Sequence, residues 1–143
     1  MSIPTVSAHC DGPCGIYDPA SARVTAEAVL SMTKKLLALH RHEGDSEVAF
    51  HNTLARYVAI KEEQAEATKH EILVLWTDYF KPKHLKDFPN LHETFWNAAK
   101  LCSACKQEVN LEKATALLDT VKAIHEMFWK SKGRDVPWVT AAG

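Results

Sequence analysis

Apolar residues in the first part of the chain recur every three or four positions, which is the spacing of one face of a helix. Asp18 is a suitable N-cap residue and Pro19 suits the first helical position, so the sequence predicts a helix start there. Gly44 ends the periodic run. The predicted buried stripe of this first helix consists of Val24, Ala28, Met32, Leu36 and Leu39.

A second and longer helical segment begins near Asp45 or Ser46 and ends at Pro82, which cannot extend a helix. The polar stretch KEEQAEATKHE interrupts its apolar pattern in the middle. We expect so long a helix to extend beyond its own bundle and to offer surface to a partner subunit. Its apolar positions are Phe50, Leu54, Tyr57, Val58, Ile72, Leu75, Trp76 and Tyr79.

Two further helical segments complete the pattern. Asn90 with Glu93 three residues later resembles a capping box, and the fourth segment begins near Asn110 with Gly133 as its C-cap. No segment alternates as a strand does, so the sequence predicts an all-α protein, an antiparallel four-helix bundle. The stripes of these segments are Leu91, Phe95, Ala98, Cys102 and Cys105, followed by Leu117, Val121, Ile124 and Phe128.

Composition narrows the possible partners and the compartment. The 143 residues suit one domain, and a formal net charge of −1 gives no electrostatic reason to expect nucleic acid or an anionic membrane as partner. No apolar run approaches the roughly 18 residues of a spanning helix. The opening MSIPTVSA lacks the basic and apolar regions of a secretory signal, so we expect a cytoplasmic protein.

Residues 9–19, HCDGPCGIYDP, gather potential metal ligands just before the first helix. Gly12 and Pro13 allow a short loop to curl until the thiols of Cys10 and Cys14 face one point. Three interpretations remain open from the spacing alone: a disulfide, one half of a zinc site, or a metal-binding hook that is complete in itself.

The zinc interpretation would combine Cys10 and Cys14 with Cys102 and Cys105, in a non-catalytic helical zinc-binding or interaction module. Against it, the last two cysteines fall on the apolar stripe of the third segment, where a free cysteine behaves as a small hydrophobic residue. In a reducing compartment, core thiols are the favoured interpretation for that pair.

Three stretches of the chain carry a family resemblance: HCDGPCGIYDPA, LWTDYFKP and FWKSKG. Over about residues 9–133, the chain resembles the nickel superoxide dismutase family. The resemblance implies that residues 1–8 are a pro-segment, removed by a maturation protease that cleaves before His9. It also implies a right-handed up-down four-helix bundle that assembles as a homohexamer. Residues 134–143 then form a C-terminal extension, which we expect to be flexible.

The resemblance further implies one nickel ion per chain. Its ligands would be the amine and imidazole of His9, the amide and thiolate of Cys10, and the thiolate of Cys14. A planar set of nitrogen and sulfur donors suits Ni(II), whereas zinc favours tetrahedral sites and has no redox chemistry. The implied reaction converts two superoxide anions to dioxygen and hydrogen peroxide through Ni(III)/Ni(II) cycling.

Four further residues match family positions near the metal. Tyr17 matches a tyrosine that limits access to small anions, and Tyr79 matches a second tyrosine that hydrogen-bonds the first. Lys81 matches a lysine near the hook, whose charge would attract superoxide because the net charge of −1 cannot. Asp11 matches an aspartate that helps to order the loop.

Two positions depart from the family pattern. In the family members, a glutamate on the first helix and an arginine from a neighbouring chain hold the axial imidazole. Thr25 occupies the glutamate position here and Gln64 the arginine position. A neutral pair would hold the His9 ring less firmly. Glu27 is an alternative partner for that ring if the first helix rotates slightly.

Overall fold

The computed structural model describes residues 14–141, and every regular element within that range is helical. The α-helices are α1 (Ala20–Leu37), α2 (Glu47–Val74), α3 (Leu91–Gln107) and α4 (Leu111–Ser131). Helices that follow one another in sequence pack together, and α1 also packs against α4. This closed arrangement is the predicted four-helix bundle.

Polar side chains that the sequence indicates accept hydrogen bonds at three helix starts, although the N-cap residue of α1 is Pro19 and not the predicted Asp18. The side-chain oxygens of the three residues accept hydrogen bonds from N–H groups two or three positions later: Asp18, Ser46 and Asn110. Asn90 differs, because it makes no capping bond and its amide donates to Thr94 Oγ1 at 3.4 Å. The capping box predicted for Asn90 and Glu93 is therefore wrong.

The predicted stripes of the last two helices are confirmed. The buried residues of α3 are the five that the sequence indicates, and all four predicted residues of α4 are buried. The stripe predicted for α1 is wrong, because Val24 is 53% exposed and the buried face carries smaller side chains. Small side chains let α1 lie close to the neighbouring helices. In this helix, the size of the side chains and not their hydrophobicity therefore decides which face is buried. The buried residues of α1 are Ala22, Ala26, Val29 and Thr33.

The long second helix does not continue as a regular α-helix to Pro82. A π-helical turn, Leu75–Tyr79, follows α2, and the Phe80 N–H donates to the Leu75 carbonyl at 3.0 Å. A short 3₁₀ helix, Pro82–Lys86, then leads into the connection to α3. The motif LWTDYFKP therefore lies on an irregular end of the helix, a kind of geometry that is frequent at functional sites.

The C-terminal residues as far as 141 lie against α1 and α4. The His125 ring is buried, its Nε2 lies 2.8 Å from the Val136 carbonyl oxygen, and the Trp138 ring is 5.3 Å away. The Ala141 N–H donates to the Glu27 carboxylate at 2.7 Å. These contacts hold residues 136–141 against the bundle.

None of the described helices has the length and apolar content needed to cross a lipid bilayer.

Candidate metal centre

The described part of the hook begins at Cys14, whose thiol is exposed and free of any disulfide. Gly15 follows with φ +65°, a conformation that favours glycine, and turns the chain toward the start of α1. The other predicted ligands, His9 and Cys10, and the loop residue Asp11 lie outside the described residues. The complete ligand set therefore stays a prediction.

Directly after this turn, the structure brings Tyr17 and Tyr79 together. Their ring centroids are 5.5 Å apart and the ring planes are tilted by 53°. Tyr17 is half-buried beside the bundle, three residues beyond the Cys14 thiol. The two tyrosines selected from the sequence thus form one aromatic contact next to the candidate metal ligand.

The π turn at the end of α2 positions Tyr79 among other rings. Its ring centroid lies 5.0 Å from that of Phe80 and 4.6 Å from that of Phe128. The His84 ring stacks on it at 5.9 Å with an interplanar angle of 11°. Rings from the residue after the π turn, from the 3₁₀ helix and from α4 therefore contact Tyr79, and this packing fixes its orientation.

The Tyr79 hydroxyl reaches across to the last turn of α4. Its oxygen lies 2.6 Å from Ser131 Oγ, and the Lys132 ammonium lies 5.3 Å from the ring centroid. Sequence reasoning assigned no role to Ser131, Lys132 or His84. The FWKSKG stretch contains two of them, so the resemblance marked their segment without indicating the contact.

Lys81 is exposed at the end of the same turn, and its ammonium donates to the Asp78 carbonyl at 2.8 Å. The Lys81 backbone N–H donates to His84 Nδ1 at 2.9 Å, so that nitrogen carries no proton. Burial, with a smaller contribution from the nearby Lys83 charge, lowers the pKa of His84. A neutral His84 therefore fixes the backbone at Lys81, while the lysine side chain remains accessible to solvent.

Thr25 and Gln64, which occupy the two positions that differ from the family pattern, contact residues of their own chain. The Thr68 hydroxyl oxygen lies 2.8 Å from Thr25 Oγ1 and also 2.8 Å from the Gln64 carbonyl oxygen. The Glu27 carboxylate accepts hydrogen bonds from Arg23 and from the Ala141 backbone. The predicted pairing of the Thr25 and Gln64 side chains requires a second chain and stays a prediction.

The two remaining cysteines are part of the core. Cys102 is completely buried and Cys105 is 2% exposed, and burial raises the pKa of Cys102 to about 12. A metal ligand must be a thiolate, so such a thiol is poorly suited to bind zinc at neutral pH. Within residues 14–141, no three His, Cys, Asp or Glu side chains form a group able to hold a metal ion. The four-cysteine zinc site is not supported.

Comparison with known proteins points to one family. The sequence profile described as nickel-containing superoxide dismutase matches residues 4–132. Superoxide dismutase [Ni] from Streptomyces coelicolor is 41% identical over 128 residues, which cover 90% of this chain and 91% of that protein. The corresponding protein from Streptomyces seoulensis is 41% identical over 127 residues, covering 89% of this chain and 90% of that protein.

Solved structures give the same picture. A crystal structure of a Ni-containing superoxide dismutase, with nickel ligation of the oxidized state, superposes with a TM-score of 0.75 at 39% identity. The match covers 88% of this chain and 100% of that chain. A native structure of nickel superoxide dismutase gives a TM-score of 0.73 at 39% identity, covering 87% of this chain and 99% of that chain.

Proposed function

Because the chain belongs to the nickel-containing superoxide dismutase family, we propose that it binds nickel through His9, Cys10 and Cys14 and dismutates superoxide. The overall reaction consumes two superoxide anions and two protons and releases dioxygen and hydrogen peroxide. The observation that carries this assignment is the contact of Tyr17 with Tyr79 directly beyond the free Cys14 thiol.

The donor set fits nickel. The two thiolates of Cys10 and Cys14, the Cys10 amide and the His9 α-amine would supply the nitrogen and sulfur donors that Ni(II) favours. When bound, nickel supplies one-electron redox chemistry. The α-amine of His9 exists only after residues 1–8 have been removed, and its pKa of about 7.7–8.0 makes it easy to deprotonate. We therefore include removal of residues 1–8 by a maturation protease in the proposal.

The surrounding side chains select and attract the substrate. Tyr17 follows Cys14 by three residues, so its ring is proposed to restrict the approach to small anions, and Tyr79 packs against that ring. Lys81 lies two residues beyond Tyr79, and its exposed positive charge is proposed to favour the approach of superoxide. Asp11 is proposed to order the hook loop.

We propose a homohexamer in the cytoplasm as the working state. Large apolar side chains on the outer faces of α1 and α2 support assembly, because such patches commonly mark subunit contacts. The most exposed of them is Val48 at 79%. The others on these two helices are Val24, Leu37, Val58 and Ile60.

The proposal is tested by comparing protein trimmed to begin at His9 with protein that retains residues 1–8. The trimmed protein should bind nickel at about one ion per chain and dismutate superoxide, whereas the untrimmed protein should do neither. Sedimentation of the trimmed protein should give the mass of six chains. Zinc bound at four thiolates, or full activity before trimming, would contradict the proposal.

Replacement of Lys81 tests the attraction of the substrate separately. Lys81→Glu should lower the rate constant for superoxide by about threefold or more at low salt, and added salt should reduce the difference. Lys83→Glu is the matched control, because this exposed lysine changes the net charge equally from a position two residues away. Equal effects of the two variants would show that net charge, and not Lys81 itself, attracts superoxide.

A further inference from the structure

Ser131 makes two short contacts at the end of α4. Its Oγ lies 2.6 Å from the Tyr79 hydroxyl oxygen and 2.6 Å from the Phe128 carbonyl oxygen. A serine hydroxyl has one hydrogen, and a carbonyl oxygen can only accept. The Ser131 hydrogen is therefore directed to Phe128, and the Tyr79 hydroxyl donates to Ser131.

Because the Tyr79 hydroxyl donates its hydrogen to Ser131, it has no hydrogen left to donate to another group. Its oxygen keeps the capacity to accept, and the surrounding rings of Phe80, His84 and Phe128 prevent the phenol from turning away. The Tyr17 ring, which belongs to the segment that follows Cys14, packs on one side of Tyr79, with the ring centroids 5.5 Å apart. A group that approaches the Tyr79 oxygen from that side must itself donate.

The same arrangement determines whether protons can travel along these hydroxyls. Peroxide formation requires two protons for each superoxide that gains an electron. A relay through Tyr79 and Ser131 would end at the Phe128 carbonyl, an amide oxygen inside a helix that has no proton to supply. These contacts therefore hold Tyr79 in place but do not deliver protons.

We propose that Ser131 is a positioning residue that fixes the direction of the Tyr79 O–H bond, so that the Tyr79 oxygen can only accept a further hydrogen bond and is not the proton donor for peroxide. This inference rests on the proposed function for its catalytic meaning. Its structural content, the direction of one hydrogen bond, is measurable without any turnover.

Raman spectroscopy measures that direction through the tyrosine Fermi doublet, whose intensity ratio distinguishes a phenol that donates from one that accepts. The chain has three tyrosines, so all variants are made in a Tyr57→Phe background, which leaves Tyr17 and Tyr79. Ser131→Ala should shift the ratio away from donation, and Ser131→Thr, which keeps the hydroxyl, should leave it unchanged. If Ser131→Ala does not fold, Ser131→Cys replaces it, since a thiol is a weak acceptor of similar size.

The rate constant of the trimmed, nickel-loaded protein is the second measurement. Ser131→Ala should lower it by about tenfold, in line with the loss of a supporting hydrogen bond around a metal site, and Ser131→Thr should restore it to within about twofold. Ser103→Ala is the matched control. Ser103 on α3 also donates to a carbonyl of its own helix and accepts from a side chain, Lys69, but it has no tyrosine partner.

The outcomes separate the two proposals. An unchanged doublet in Ser131→Ala overturns the assigned hydrogen-bond direction, and a Ser131→Thr protein as slow as Ser131→Ala shows that packing and not the hydroxyl matters. A nickel-loaded wild-type protein without activity would overturn the proposed function. The doublet would then still decide the direction of the Tyr79 bond.

Discussion

The first and second halves of α2 bury different amounts of surface, although they form one continuous helix. The four buried residues of this helix are Lys61, Ala65, Thr68 and Ile72, all in the half we call the inner segment, 61–74. In the outer segment, 47–60, apolar side chains such as Val48 are exposed, and Leu54 is only half-buried.

The difference shows that hydrophobicity alone does not mark the core side of this helix. The inner segment carries the polar stretch, yet its small residues let it pack closely against α1 and α3. The outer segment carries large apolar residues with little of this chain to cover them. The inner segment therefore stabilises the single chain, and the outer segment is available to the partner subunits proposed above.

The largest expected effect comes from truncating one aliphatic residue in each half. Ile72→Ala should lower the free energy of unfolding by about 2–5 kcal/mol, because it opens a cavity at a completely buried site. Leu54→Ala, the matched change in the outer segment, should cost about 1 kcal/mol, since the side chain is already partly solvated. Urea unfolding at a concentration where the chain is monomeric measures both. Equal losses would remove the distinction between the two segments.

The next effect concerns Lys61, which lies at the boundary of the segments and is 2% exposed. Its ammonium donates to the carbonyl of Cys105, to that of Lys106 at 3.0 Å and to that of Glu108 at 3.1 Å. Lys61→Met keeps the length but leaves these carbonyls at the end of α3 without their donor. We expect a loss of roughly 2–4 kcal/mol in the same unfolding measurement.

Lys69→Met is the control for that change. Lys69 is half-buried on the same helix, but it donates to one side chain, Ser103, at 3.3 Å. The control should lose less than about 1 kcal/mol. A Lys61→Met protein as stable as the wild type would show that close packing alone holds α2 against the end of α3.

A smaller effect is expected at Thr68, whose hydroxyl lies 2.8 Å from both Thr25 Oγ1 and the Gln64 carbonyl. Thr68→Val removes the hydroxyl and keeps the shape, so it should destabilise the chain by about 1 kcal/mol. Thr68→Ser keeps the bond to Thr25 and loses a methyl group instead. Greater stability of the valine variant would mean that the bond between α1 and α2 contributes nothing.

The smallest effect is the pH dependence that comes from the exposed pair of Glu66 and Lys106, 2.5 Å apart. The Lys106 hydrogen bond lowers the pKa of Glu66 below 4.5, so the unfolded chain binds this proton at higher pH than the folded chain. The stabilisation is therefore complete above pH 4.5 and is lost as the pH falls through the folded-state pKa.

Unfolding of Glu66→Gln between neutral and acidic pH checks this expectation. The variant should show a weaker loss of stability on acidification than the wild type. Glu63→Gln, at an exposed carboxylate on the same helix, is the control and should leave the pH dependence unchanged. Identical curves for the wild type and Glu66→Gln would show that solvent screens the pair completely.

Sequence patterns predicted α3 and α4 well because their buried faces, which include Cys102 and Phe128, are apolar at every position except His125. They failed for α1, where Val24 is exposed and Thr33 is buried with its hydroxyl bonded to the Val29 carbonyl. A threonine can satisfy its hydroxyl within its own helix, so a polar residue does not have to mark an outer face.

In the candidate site, too, sequence patterns predicted some contacts and missed others. The motifs around Tyr17 and Tyr79 selected two residues that the structure places in contact. Ser131 escaped notice because a serine near a helix end is common, and only the folded chain shows that Tyr79 lies 2.6 Å from it. The hydrogen-bond direction depends on the Phe128 carbonyl, and no sequence pattern reports a backbone acceptor.

The π turn at Leu75–Tyr79 makes the length of this segment as important as its composition. Inserting or deleting one residue in the regular helix before this turn would rotate everything that follows by about 100° around the helix axis. Tyr79 and Lys81 would then be displaced together, although every remaining side chain would be intact. We therefore expect this stretch to accept exchanges of single side chains more readily than any insertion or deletion.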